Sequence, residues 1–171
     1  MRLTVELTYP ASVDVVAAML ADADFVRWRA AHSTGSGSVE QTDLSGTVAD
    51  GFTVVVRRTL PTDLIPPQIR PFVGEGLEVR QAEVWESPKG DHLVGTVALE
   101  IAGAPVRVTG TVRLEPLPEG GGSRQVYDGE VRASVPLFGA VVEDAAARSV
   151  RATLVAEGEA GVAWLTGDRD A

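Results

Sequence analysis

Apolar and polar residues alternate from the start of the chain, with Leu3, Val5, Leu7 and Tyr9 set against Arg2, Thr4, Glu6 and Thr8. A period of two predicts a strand with one buried face, and Pro10 ends it. Ser12 then offers an N-cap, Asp14 suits the positive end of the helix dipole, and Val15, Val16, Met19 and Leu20 give a short apolar stripe. A second short helix carries Phe25 and Trp28, capped by Asp22 or Asp24, and His32-Ser-Thr-Gly-Ser-Gly-Ser reads as the loop that ends it.

Six more strands are predicted at Val39–Gly46, Phe52–Leu60, Leu77–Glu86, His92–Ile101, Pro105–Glu115 and Gln125–Val135. Turn signals at Ala49-Asp-Gly, Ser87-Pro-Lys-Gly, Ala102-Gly-Ala and Pro118-Glu-Gly-Gly-Gly lie close enough together for antiparallel hairpins. After Val135-Pro-Leu-Phe-Gly the period changes to that of a long helix. On a helical wheel Phe138, Val142, Ala145, Ala146, Ser149, Ala152, Thr153, Ala156, Ala160, Ala163 and Trp164 share one face, opposite Asp144, Arg148, Arg151 and Glu159. The fold class is α+β, because an antiparallel sheet needs cover and this helix is the only predicted element long enough to give it. Gly158 and Gly161 each cost ~1 kcal/mol relative to alanine, so the helix is expected firmly over Phe138–Glu157, with its last turns bent or frayed and Trp164 as an anchor.

The alanine-rich face changes the picture from packing to function. Gly95, Gly110 and Gly129 interrupt the apolar rows of three successive strands. Facing small helix residues they hollow out the layer, or else they mark sheet curvature with tight packing. Leu77, Val79, Gln81, Glu83 and Trp85 share a strand face. If that face points inward, Gln81 and Glu83 are polar groups in an apolar shell that require partners, and they would orient a ligand; a bulge would turn them to water. The segment from Leu60 to Gly76 has four prolines and buries Leu64, Ile65, Ile69, Phe72 and Val73 as a lid or as a fixed plug.

Composition then removes classes. The 171 residues suit one domain, and a net charge of -9 with no basic cluster larger than Arg57-Arg58 disfavours nucleic acid and anionic membranes. No apolar run reaches the ~18 residues of a membrane span, and no signal-peptide core follows Met1, so no stable membrane insertion and a cytoplasmic location are expected. Zero Cys excludes disulfides and thiolate chemistry. The two histidines, His32 and His92, lack ligand spacing, so no metal is expected, and no phosphate-cradling or nucleophile motif or cofactor signature is present. Glu143 and Glu157 flank the apolar face of the long helix; Glu143 lies in the first turns, where the dipole favours a carboxylate, and the other reading is a pocket acid or an anchor for a ligand hydroxyl. Ser149 and Thr153 either face a pocket or bond back to the carbonyls one turn earlier.

The element order, with Tyr9-Pro-Ala-Ser-Val-Asp and Asp22-Ala-Asp-Phe25, resembles the START-like (SRPBCC) superfamily. More narrowly, Leu60-Pro-Thr-Asp-Leu-Ile-Pro-Pro, Glu83-Val-Trp-Glu, Pro105-Val-Arg-Val-Thr-Gly-Thr-Val-Arg-Leu and Val135-Pro-Leu-Phe-Gly resemble the uncharacterised actinobacterial family called domain of unknown function 2505. The resemblance implies one helix-grip domain over residues 1–171: a strongly curved seven-stranded antiparallel sheet wrapped around the C-terminal helix, with two short helices after the first strand. It also implies a small hydrophobic ligand, such as a lipid, isoprenoid or polyketide, between sheet and helix. Candidate lining residues are Val54, Val56, Phe72, Gln81, Glu83, Trp85, Val97, Val108, Tyr127, Val142, Ala145, Ser149, Ala152 and Thr153. An acid/base enzyme would need Glu83, Tyr127 or Glu143 in the pocket. A cavity much smaller than ~300 Å³ would instead favour a pocketless interaction domain.

Overall fold

The computed structural model describes residues 1–33, 35, 37–61, 67, 70 and 76–168. Strand β1 (Arg2–Tyr9) buries every second residue, as its alternation requires. Helix α1 (Val13–Leu20) follows, with Ser12 in the N-cap position; its carbonyl accepts from Val16 N at 3.0 Å, but its side chain makes no capping bond. Helix α2 (Ala23–Ser33) is capped by Asp22, whose Oδ1 accepts from Asp24 N at 2.8 Å. His32 belongs to this helix rather than to the loop beyond, with its ring 4.0 Å from that of Trp28.

The remaining strands are β2 (Ser38–Thr47), β3 (Gly51–Pro61), β4 (Gly76–Trp85), β5 (Leu93–Ala102), β6 (Val106–Pro116) and β7 (Ser123–Ala133). They form one antiparallel sheet in the order β1-β7-β6-β5-β4-β3-β2, so that β1 is carried across to the last hairpin strand. Each predicted strand is found, with ends moved by one or two residues. Gly95 and Gly110 serve the curvature reading, whereas Gly129 also borders a hollow between sheet and helix. Gly110 lies opposite Gly129, and a Cβ on it would stand 2.5 Å from the Asp128 carbonyl oxygen; one on Gly95 would stand 2.4 Å from that of Val84. Any side chain there would push neighbouring backbones apart, so these residues allow the sheet to bend.

Helix α3 (Gly139–Thr166) crosses the concave face and ends at Gly167, whose φ of 80° closes it with a bond from Asp168 N to Ala163 O at 2.9 Å. Its last turns neither bend nor fray. Gly158 packs on Leu7 and Gly161 on the ring of Tyr9, where an added Cβ would come within 2.8 and 2.6 Å respectively. Burial against β1 offsets the propensity cost of glycine, because only glycine lets the backbone approach so closely. Trp164 then packs its ring 5.4 Å from Phe25 and 5.6 Å from Trp28, anchoring the helix end on α2.

The docked face of α3 is rotated from the expected one and centres on Val142, Ala147, Leu154, Gly158 and Gly161. Ala145 and Ala152 precede Ala147 and Leu154 by two residues, which is ~200° around a helix. Ala152 is accordingly exposed, as are Ser149 and Phe138, while Ala145 is only partly buried. The proline-rich segment, with Phe72 and its lid-or-plug reading, lies almost wholly outside the described residues.

Candidate functional site

Strand β4 points Gln81, Glu83 and Trp85 inward, and they are 4%, 1% and 2% exposed. The phase of β3 brings Arg58 in beside them, α2 contributes Arg29, α3 contributes Glu157, and β1 and β7 contribute Tyr9, Gln125 and Tyr127. All are buried. Burial without partners would be costly for each, and most of their polar atoms have one.

Arg58 Nη2 donates to Gln81 Oε1 at 3.1 Å and to Glu157 Oε1 at 3.0 Å, and its Nη1 reaches Ser33 Oγ at 3.3 Å. Gln81 Nε2 donates to Glu83 Oε1 at 3.2 Å and to Glu157 Oε2 at 3.3 Å. Glu83 also accepts from Tyr127 Oη and from Trp85 Nε1, both at 3.2 Å. Gln125 Nε2 donates to Tyr127 Oη at 2.6 Å while its Oε1 accepts from Tyr9 Oη at 2.9 Å. Arg29 lies 3.9 Å from Glu83 and 3.8 Å from Glu157, with its guanidinium 5.6 Å from the Phe25 ring centre. Two guanidiniums thus face two carboxylates in the buried interior. Two donors of the network remain over, Arg29 Nε and Arg58 Nε, neither with an acceptor among the described residues.

The electrostatics keep the set in one state. Burial pushes both tyrosine hydroxyls up from their ordinary range, with the Glu83 charge adding to the rise at Tyr127 against the opposing pull of Arg29. Burial pulls Arg29 downward, but the charges of Glu157 and Glu83 outweigh it and hold the guanidinium above its ordinary value. Glu83 and Tyr127 spend their hydrogen-bonding capacity within the network. An acid or base for catalysis needs a free position within reach of substrate, so this geometry fixes side chains rather than readies one for proton transfer. Glu143 stands elsewhere: its carboxylate accepts from Ala133 N at 3.1 Å and from the Met1 amino group at 3.0 Å, and the backbone bond chiefly holds it below its usual range.

Beside the network, two adjoining hollows of about 50 and 30 Å³ separate the first half of α3 from β4, β5 and β6. They share Gln81, Leu99, Val108, Val150 and Thr153, with Leu60, Val79 and Ile101 on one and Leu3, Val97 and Tyr127 on the other. Of the expected lining residues, Gln81, Val97, Val108, Tyr127, Ser149 and Thr153 are here. Glu83 and Trp85 belong to the network behind them, and Val54, Val56 and Val142 are packed in the core. A wider concavity of about 580 Å³ lies apart from this chemistry, at the end of the sheet that carries the β5–β6 turn, among charged residues including Arg80, Glu100, Arg107 and Arg132.

Arg29, Arg58, Tyr9 and Gln125 were not singled out by sequence as site residues, yet a signal existed. Arg58 continues the inward phase Phe52, Val54, Val56; Gln125 continues that of Tyr127 and Val131; Arg29 follows Phe25 by one turn. Phase, rather than residue type, locates them.

A family model described as protein of unknown function DUF2505 matches residues 4–165. The chain belongs to that family. Uncharacterized proteins of Mycobacterium tuberculosis and Mycobacterium bovis are each 26% identical to it over 161 residues, 92% of either chain. Among solved structures, a START superfamily protein from Mycobacterium smegmatis aligns with a TM-score of 0.53 at 12% identity, covering 96% of this chain and 98% of its own. Norcoclaurine synthase from Thalictrum flavum, in complex with dopamine and hydroxybenzaldehyde, aligns at 0.52 and 14%, covering 100% of this chain and 88% of its own. A Thermus thermophilus protein aligns at 0.56 and 18%, covering 95% and 98%. At such identities the likeness establishes the fold: this DUF2505 member has the START-like, helix-grip architecture. Among its described residues no helix is long and apolar enough to cross a membrane, and no group of three potential metal ligands occurs.

Proposed function

We propose that the chain is a binding or carrier domain for a small apolar molecule, held in the seam between the first half of α3 and strands β4 to β6. Residues 1–171 act in this reading as one START-like unit, in the cytoplasm. The observation that carries it is the pair of hollows, lined mostly by apolar side chains with a few polar ones, among them Gln81, Arg58, Tyr127 and Thr153. An apolar channel with a few convergent polar groups is the usual form of a small-molecule site. At about 50 and 30 Å³ the hollows are far below the ~300 Å³ of ordinary sites, so uptake requires α3 to move off the sheet. Ala146, Val150 and Thr153 on that stretch are only partly buried, which leaves it the weakly held wall.

The same volumes favour a second reading, an interaction domain with a filled interior. Native mass spectrometry after organic extraction, with titration by the neutral apolar dye Nile red, separates the two. A co-purifying apolar molecule, or saturable uptake at one site per chain, is expected for the carrier. Absence of both assigns the chain to the filled-interior class. An acid/base enzyme gains no support from the geometry, because Glu83 and Tyr127 are spent within the network and Glu143 is bound to Ala133 and Met1.

A further inference from the structure

On the face of the sheet turned away from α3, one row of residues runs in register across five strands: Arg57, Arg80, Glu100, Arg107 and Arg132. Arg57 lies directly opposite Arg80, and Arg107 directly opposite Arg132. Like charges in opposed positions destabilise a sheet. The other end of the same face shows the favourable arrangement, with Glu115 opposite Arg124 and paired to it at 2.7 Å. Four guanidiniums around a single carboxylate also run against a chain whose net charge is -9.

Carboxylates outside the row neutralise it unevenly. Arg57 Nε donates to Glu78 at 3.0 Å and Arg132 to Glu130 at 3.0 Å, while Arg107 lies 3.3 Å from Glu100. The pairs of Arg107 and Arg132 are well exposed, and such pairs contribute little, so either arginine can exchange its carboxylate for another anion. Arg80 is exposed and makes no hydrogen bond or ion pair among the described residues. Arg80, Arg107 and Arg132 all border the concavity of about 580 Å³, a volume within the ordinary range of ligand sites. Its two glutamates, Glu78 and Glu100, are the partners just named, and Ile101, Ala104 and Pro105 give it an apolar wall.

From the opposed arginines, the free Arg80 and the concavity they border, we infer a binding site for a small organic anion. It takes a phosphate ester or a carboxylate, whose oxyanion bridges Arg107 and Arg132 with Arg80 adding to the attraction, and whose apolar body lies on the β5–β6 turn. An oxyanion there converts like-charge repulsion into charge-assisted hydrogen bonds, and the guanidinium fork matches both groups. At physiological salt, exposed charges more than ~8 Å apart are largely screened, so the row outweighs the net charge of the chain. The arginines face away from the seam, and the inference does not rest on the carrier reading.

Titration of the natural chain with phenyl phosphate, benzoate, benzyl alcohol and inorganic phosphate, read by NMR from the arginine side-chain N–H resonances, tests the inference. The tighter of phenyl phosphate and benzoate identifies the oxyanion; it should saturate at one site per chain and shift Arg80, Arg107 and Arg132. It should bind at least ~5-fold better than benzyl alcohol, which lacks the charge, or inorganic phosphate, which lacks the apolar body. Arg107→Gln and Arg132→Gln should each weaken it at least ~5-fold, whereas Arg113→Gln, an equal loss of charge on the same face but outside the row, should change it less than ~2-fold. All three positions are exposed, so the variants keep the fold. Benzyl alcohol or inorganic phosphate matching the organic anions, no saturation by ~10 mM, or an equal loss in the Arg113 variant overturns the inference. So does displacement of Nile red by the anion, which would seat it in the seam. Failure of Nile red to bind at all removes the carrier reading and leaves this site standing.

Discussion

The two halves of α3 solve opposite problems with similarly small side chains. From Leu154 to Thr166 glycine and alanine bring the helix onto β1 so closely that Gly158 touches Leu7 and Gly161 touches Tyr9, and Glu157 is locked between Arg58, Gln81 and Arg29. From Gly139 to Thr153 alanine and serine leave the hollows open instead, and several of the residues facing the sheet keep part of their surface exposed. Small residues therefore mean contact where the opposing strand advances and space where it does not. Composition alone cannot tell these apart; the bulk of the facing residues decides.

The largest effect that tests this contrast falls on Glu157. Glu157→Ala leaves two buried guanidiniums facing the single carboxylate of Glu83 and should cost ~3–5 kcal/mol of unfolding free energy, read by urea titration. In the first half, Arg148→Ala removes only the exposed i,i+4 pair with Asp144 and should change stability by less than ~0.5 kcal/mol. Equal losses at the two sites would break the comparison.

High pH comes next. Folded Tyr9 and Tyr127 hold their protons above the ordinary tyrosine value, whereas the unfolded chain releases them near that value. Their contribution is therefore complete below about pH 10 and is lost as pH rises toward the folded values, at ~1.4 kcal/mol per pH unit for each tyrosine. Urea midpoints measured upward from pH 9 should fall on this slope, and Tyr9→Phe should remove roughly half of it.

Gly161→Ala sharpens the contrast further. Against the ring of Tyr9, overpacking of ~1–3 kcal/mol exceeds the ~1 kcal/mol that alanine gains in a helix, so a net loss of stability is expected. A gain would show that the second half has slack. Thr153→Leu fills hollow rather than displacing core and should stay within ~1 kcal/mol of the natural chain while abolishing Nile red uptake.

Periodicity made the sheet legible because one face of each strand is buried and the other is not, which prints a period of two into Leu3–Tyr9 and Phe52–Arg58 alike. The inward direction of Gln81 and Glu83 was readable in the same way. The network itself was less so. Arg29, Arg58 and Glu157 meet only through three elements far apart in sequence, and a lone charged residue in an apolar phase resembles an edge position until its partner is placed. The rotation of α3 was hidden for a related reason: alanine scores as apolar on any face, so the wheel could not distinguish Ala147, which docks, from Ala152, which does not.

The central claim is that the first half of α3 is a wall able to leave the sheet while the second half is fixed. Native-state hydrogen exchange along α3, with and without Nile red, tests it most directly. The account predicts that amides of residues 143–153 open at distinctly lower free energy than those of 154–164, and that Nile red selectively slows the first group. Uniform protection along the helix, unchanged by the dye, would contradict it.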